Sequence, residues 1–142
     1  MTRGIFVTGT DTGVGKTLAA CALIHALKRR GIAAMPMKPV AAGAVAHDET
    51  WANEDSMALL HAASRDRASL SEVTPVLLRE AMAPHIAAAR ENRRITLDPI
   101  VAAFGRLASD SAFLVVEGVG GRGEYDGIGP GEGHVVPHKR QL

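Results

Sequence analysis

Short runs of β-branched and aromatic residues alternate with longer stretches in which apolar positions recur every three or four residues, a pattern that predicts an α/β chain. Ile5-Phe6-Val7-Thr8 is stopped by glycine and reads as a strand buried on both faces, central in a parallel sheet. Over residues 15–30, Leu18, Cys21, Ala22, Leu23, Ile24 and Leu27 fall at helical spacing, and Lys28-Arg29-Arg30 before Gly31 supply a basic last turn and a cap. A second apolar segment, residues 32–37, closes a strand, loop, helix, strand unit suited to a right-handed parallel crossover.

Beyond Gly43 the chain turns polar through His47-Asp48-Glu49-Thr50, which predicts a loop, and helical periodicity resumes over residues 54–63 around Met57, Leu59 and Leu60. Residues 73–78 read as a further strand, and Pro84 opens a helix that runs to Arg90. Asp98-Pro99 has the form of an N-cap followed by a first-turn proline, for a helix reaching about Ser109. Phe113-Leu114-Val115-Val116 is a last apolar strand, ending at Glu117-Gly118. From Gly118 to Gly133 eight of sixteen residues are glycine, so residues 1–121 read as one domain and residues 122–142 as a glycine-rich irregular tail.

Composition narrows the function classes. The 142 residues carry sixteen Lys and Arg against fifteen Asp and Glu, without a basic block, and only 4% aromatic residues, which argues against nucleic acid as a partner. One cysteine, Cys21, can neither close an internal disulfide nor build a zinc site; this fits a reducing compartment, and a cytoplasmic location is expected. Polar Gly9-Thr10-Asp11 interrupts the first apolar run too early for a signal peptide, and no run approaches the ~20 apolar residues that span a bilayer, so no membrane role is expected.

Gly9-Thr10-Asp11-Thr12-Gly13-Val14-Gly15-Lys16-Thr17 lies between the first predicted strand and the first predicted helix. In that setting glycines let backbone amides turn toward phosphate oxygens, the helix N-terminus attracts anions, Lys16 reaches the β and γ phosphates, and the Thr17 hydroxyl can hold magnesium. Five residues separate Gly9 from Gly15 where the common phosphate loop has four, which implies a distinct subfamily. Asp11 stands where the partitioning ATPases of the deviant phosphate-loop group carry a lysine, which disfavours that group. Lys38-Pro39 follows the second strand at the edge where open parallel sheets bind ligands, so Lys38 is expected to point a cation into the site. Glu117 ends an apolar strand at the same edge. Asp55 reads equally as a first-turn carboxylate and as a ligand. His85 reads as a first-turn surface residue and Trp51 as packing against the next helix.

With these residues in place the chain resembles the dethiobiotin synthetase family. The phosphate loop 8–17, Lys38-Pro39-Val40, Asn53-Glu54-Asp55, Pro84-His85-Ile86-Ala87 and Val116-Glu117-Gly118-Val119-Gly120-Gly121 are similar to that family's motifs in order and spacing, over about residues 4–121. The resemblance implies a P-loop NTPase-like parallel sheet with flanking helices, ATP and Mg²⁺ as cofactors, and 7,8-diaminononanoate and CO₂ as substrates in biotin synthesis. It further implies catalytic roles for Lys38, Thr12 and Lys16, nucleotide contacts from Gly13, Val14, Gly15, Lys16, Thr17 and Glu117, and Mg²⁺ ligation by Thr17, Asp55 and Glu117. Gly13 stands where some members carry an acid, and Ala42 where some carry a hydroxyl. After Gly121 the likeness stops, where the family continues through strands and helices that bind the purine and form a homodimer; the C-terminal part of the usual domain is thus expected to be missing. Two functions follow from the sequence: the synthetase, and a nucleotide-binding fragment without turnover.

Overall fold

The computed structural model describes residues 2–10, 13–47, 50–63 and 68–120. Its centre is a three-stranded parallel sheet of β1 (Arg3–Val7), β2 (Ala34–Met37) and β7 (Phe113–Glu117), in the order β1-β7-β2. The first crossover therefore carries the chain past the position that the last strand fills. Between β1 and β2 runs α1 (Lys16–Arg29), ended by Arg30 and by Gly31 at φ 73°, the left-handed conformation of a glycine stop. Pro36 sits within β2, where its missing N–H is harmless because β2 pairs on one side only, with β7, among the described residues.

Two short strand pairs and four more helices complete the order among the described residues. β3 (Val40–Ala41) pairs in parallel with β6 (Val76–Leu77), and β4 (Val45–His47) pairs antiparallel with β5 (Thr50–Ala52). The helices are α2 (Glu54–Ala63), α3 (Leu70–Val73), α4 (Pro84–Arg90) and α5 (Leu97–Ser109). Alternation along the sheet strands separates two cores. Val115 and Ala34 face Ala20 and Ile24 of α1 and Leu59 of α2, whereas Leu114, Met35 and Met37 face Ala103 and Leu107 of α5. A third cluster, Val76, Leu78, Ala87 and Ala88, fixes α4 beneath the β3–β6 pair.

Four expectations are corrected. β1 is not central: it lies at one edge of the described sheet, with Phe6 60% exposed, and β7 takes the middle. The polar stretch after Gly43 is a hairpin, because Val45–His47 and Thr50–Ala52 satisfy each other's backbone groups. α5 begins two residues earlier than the Asp98-Pro99 signal, with Thr96 as its N-cap and Asp98 in the first turn. Trp51 is 44% exposed on β5 and lies under the Arg79 guanidinium, 4.7 Å from its ring centre, instead of in the core. The glycine-rich tail, residues 122–142, lies outside the described residues.

Candidate functional site

Parallel register brings the carboxyl ends of the three strands to one edge: Val7 pairs with Glu117, and Met37 with Val116. The loops that leave there are the phosphate loop, Lys38 and Gly118, the crevice in which open α/β sheets hold ligands. Together they line a cavity of about 620 Å³. Gly13, Gly15, Lys16, Thr17, Lys38, Asn53, Asp55 and Glu117 form its polar wall, and Ala42, Ala81, Met82, Ala83 and Pro84 its apolar one.

The phosphate-loop backbone is of a kind that side chains disfavour. Gly13 has φ 79° and Gly15, the N-cap of α1, φ 90°, both in the left-handed region. Gly9 leaves room for Val14: a Cβ at residue 9 would come within 2.5 Å of the Val14 methyl. Val14 itself is half exposed and is not part of the cavity wall. Thr12 and Asp11 lie outside the described residues.

At the floor of the cavity the charged groups meet. Strand alternation puts Glu117 on the α1 face, in step with Val115, and leaves it only 1% exposed. Its Oε1 accepts hydrogen bonds from Lys38 Nζ at 2.7 Å and from the Thr17 hydroxyl at 2.9 Å. Lys38, 4% exposed, also donates to Asp55 Oδ2 at 2.9 Å, so one ammonium joins two carboxylates on different elements. Burial works to raise the Asp55 pKa, but the hydrogen bond and charge of Lys38, with Thr17 and Lys16, outweigh it and hold the carboxyl below its ordinary range. Burial, then the negative charges of Glu117 and Asp55, push the Cys21 thiol on α1 up.

Among the described residues Glu117 Oε2 is buried and meets no hydrogen-bond donor, and burial makes an unmet acceptor costly. The Thr17 hydroxyl and the carboxylates of Asp55 and Glu117 are all oxygen donors, the type a hard divalent cation takes. Among the described residues no group of three or more His, Cys, Asp and Glu makes a protein-only cage. Mg²⁺ commonly binds one or two carboxylates and completes its shell with water and phosphate oxygens.

Of the residues singled out in the sequence, Lys16, Thr17, Lys38, Asp55 and Glu117 converge on this cavity, with Gly13 and Gly15 at its rim. Asp55 is a first-turn carboxylate of α2 that lines the cavity and accepts from Lys38 there. Pro84 lines the cavity at the start of α4, and His85 next to it does not. Three further polar residues, Asn53, Ser56 and Thr74, are buried beside these groups. Asn53, just before α2, caps it through Oδ1, which accepts from the Ser56 N–H at 3.3 Å, and its Nδ2 donates to the Ala42 carbonyl at 3.0 Å. An asparagine directly before a helical period is an N-cap signal that would have found the first of these bonds.

A family model described as AAA domain matches residues 3–128. The chain is 47% identical over 116 residues to the ATP-dependent dethiobiotin synthetase BioD of Xanthomonas campestris pv. campestris (strain B100). It is 46% identical over the same length to the protein of that name in Xanthomonas oryzae pv. oryzae (strain PXO99A), and 47% to that in Xylella fastidiosa (strain 9a5c). Each alignment covers 82% of this chain and 51% of the relative, so the chain spans about half the length of the curated relatives it matches.

Proposed function

The chain belongs to the AAA domain family, and on that footing we propose that its cavity binds ATP with Mg²⁺ and serves dethiobiotin synthesis, as its relatives' name describes for them. The observation that carries this reading is the buried Lys38, bonded to Glu117 and Asp55 beside Lys16 and Thr17 at the mouth of a phosphate loop.

In this reading the phosphates lie on the amides of Gly13 to Thr17 at the N-terminus of α1, and Lys16 neutralises the β and γ phosphates. One amine of 7,8-diaminononanoate takes up CO₂ and loses a proton, giving a carbamate. A carbamate oxygen attacks the γ-phosphorus, ADP leaves, and the second amine then attacks the carbamate carbon, closing the ring and expelling phosphate. Charge moves during transfer from the β,γ bridge toward the carbamate and phosphate oxygens, and a preplaced cation stabilises it where it arrives. Lys38, bonded to two carboxylates, would fill that role, with Thr12 as a hydrogen-bond donor to the same oxygens. Thr17, Asp55 and Glu117 would hold Mg²⁺, which when bound neutralises phosphate charge. The apolar wall of Ala42, Ala81, Met82 and Ala83 suits the methylene chain of the diamine. An enzyme of this kind works in the cytoplasm, and as a homodimer where the fold is complete.

The test is ADP release from the purified chain with ATP, Mg²⁺, bicarbonate and 7,8-diaminononanoate, against the same mixture without the diamine. Diamine-dependent ADP is the expected result. ATP bound without diamine-dependent release would favour the second reading, a nucleotide-binding fragment, for which the match to about half the relatives' length speaks. No ATP binding at all would sink both.

A further inference from the structure

A line of buried polar side chains runs inward from Asn53 in the cavity wall. The Thr74 hydroxyl donates to Ser56 Oγ at 2.7 Å, Ser56 Oγ donates to Asn53 Oδ1 at 3.4 Å, and Asn53 Nδ2 donates to the Ala42 carbonyl at 3.0 Å. Thr74, Ser56 and Asn53 are all buried. Each belongs to a different part of the wall or its support. Thr74 ends α3 beside Val73, whose carbonyl receives the Lys38 N–H at 2.8 Å. Ser56 is in the first turn of α2, next to Asp55, and Ala42 lies in the loop whose following residues, Gly43 and Ala44, donate to Glu80 and Leu78.

We infer that Asn53 is a positioning residue that locks the Ala42–Ala44 loop to the start of α2, and so fixes the pose in which Asp55 meets Lys38. The reason lies in its amide. At one end Asn53 must accept, from the Ser56 N–H that caps the helix; at the other it must donate, to a carbonyl oxygen. Asparagine alone among side chains of this length does both in a single fixed plane. Aspartate of the same shape keeps the cap and suits the helix dipole, yet sets a second acceptor against the Ala42 oxygen. Serine keeps the cap and does not reach the loop. Asn53 touches no reacting atom in this account; it acts through Asp55 and the loop.

Asn53→Asp therefore separates the two bonds. Measured by native-state amide exchange, the Ser56 and Met57 amides should keep their wild-type protection in Asn53→Asp, because the cap survives. The Gly43 and Ala44 amides should exchange about tenfold faster, the effect of losing one buried hydrogen bond. Asn53→Ala should release both sets. The second measurement is MgATP affinity and, where the wild type turns over, diamine-dependent kcat. Asn53→Asp should weaken metal-supported ATP binding about tenfold while ATP binding in EDTA, which rests on the phosphate loop, stays near wild type. Asn53→Ser, with the cap kept and the loop lost, should behave as Asn53→Asp does.

Unchanged protection at Gly43 and Ala44 in Asn53→Asp would overturn the inference, since the amide would then not hold the loop. Faster loop exchange with MgATP affinity and turnover at wild-type values would overturn it too, since the loop would not set the site. The binding arm rests on the ATP reading above. A wild-type chain that binds no MgATP sinks that reading alone, and the exchange pattern then decides whether Asn53 holds the loop.

Discussion

At the scale of the residue, the cavity is organised by one ammonium shared between two carboxylates. Lys38 and Glu117 are both withdrawn from water, and their 2.7 Å contact offsets the cost of desolvating each. Lys38→Ala should cost about 3 kcal/mol of stability in urea denaturation, because it strands a buried carboxylate, and Lys38→Ala with Glu117→Gln should lose less than the single change. The two lysines should also part company in function. Lys16→Ala should abolish binding of a fluorescent ATP analogue, whereas Lys38→Ala should keep it and lose diamine-dependent ADP release; equal nucleotide affinity in wild type and Lys16→Ala would move the phosphates elsewhere. These residues were legible in the sequence because strand ends and a glycine-rich turn announce themselves locally. Ser56, Thr74 and the Asn53 bond to the Ala42 carbonyl were not. A polar residue near a helix start looks like a solvated cap whether or not its partner sits eighteen positions away, and the Ser56–Thr74 bond is of that non-local kind.

At the scale of the element, hydrophobic patterning found α1, α2 and the three sheet strands, since each buries a face against a core, and the prolines at residues 84 and 99 marked α4 and α5. Patterning missed elements too short to have a period. α3 is four residues long and is held by its ends: Glu72 N–H donates to Ser69 Oγ at 3.3 Å, and Ser69 N–H donates to Glu72 Oε2 at 2.8 Å, a reciprocal capping box. The Ser69-Leu70-Ser71-Glu72 spacing carries that signature, but the residues that follow, 73–78, have the pattern of a strand and not of a helix. The hairpin of β4 and β5 was hidden for a related reason, because exposed strands read as polar loop. The capping box has a measurable pH dependence. Hydrogen bonds from the Ser69 backbone and hydroxyl, and the Arg106 charge, outweigh slight burial and lower the Glu72 pKa. A carboxyl lowered on folding binds fewer protons in the native state than in the unfolded one. Its contribution is therefore whole above the ordinary glutamate range and lost as pH falls through the folded value. Glu72→Gln should flatten that part of the acid limb of a urea-midpoint profile, and Ser69→Ala should cost about 1 kcal/mol at neutral pH.

At the scale of the whole molecule, β1 shows where sequence and structure part. Its residues have the composition of a strand covered on both faces, yet Ile5 and Phe6 stand exposed at the edge of the described sheet. Composition reports the surroundings for which a strand is suited, while exposure reports the neighbours among the described residues. The two diverge here in a chain that matches about half the length of its relatives. An apolar groove of about 540 Å³ runs beside β1 onto α5, lined by Val101, 63% exposed, and Phe104, with the buried Met37 and Leu114 beneath. Apolar surface gains about 25 cal/mol for each Å² it hides, so a groove of this kind favours association. Among the described residues β1 pairs on one side only, and a strand edge accepts another strand, which offers a second attraction. Sedimentation velocity across a concentration series should show the wild-type chain self-associating. Val101→Lys with Phe104→Lys, both on the exposed side of α5 and remote from the phosphate loop, should shift the boundary toward the monomer and leave ATP-analogue affinity unchanged. Identical sedimentation in wild type and the double variant would mean that the groove is not what brings copies together.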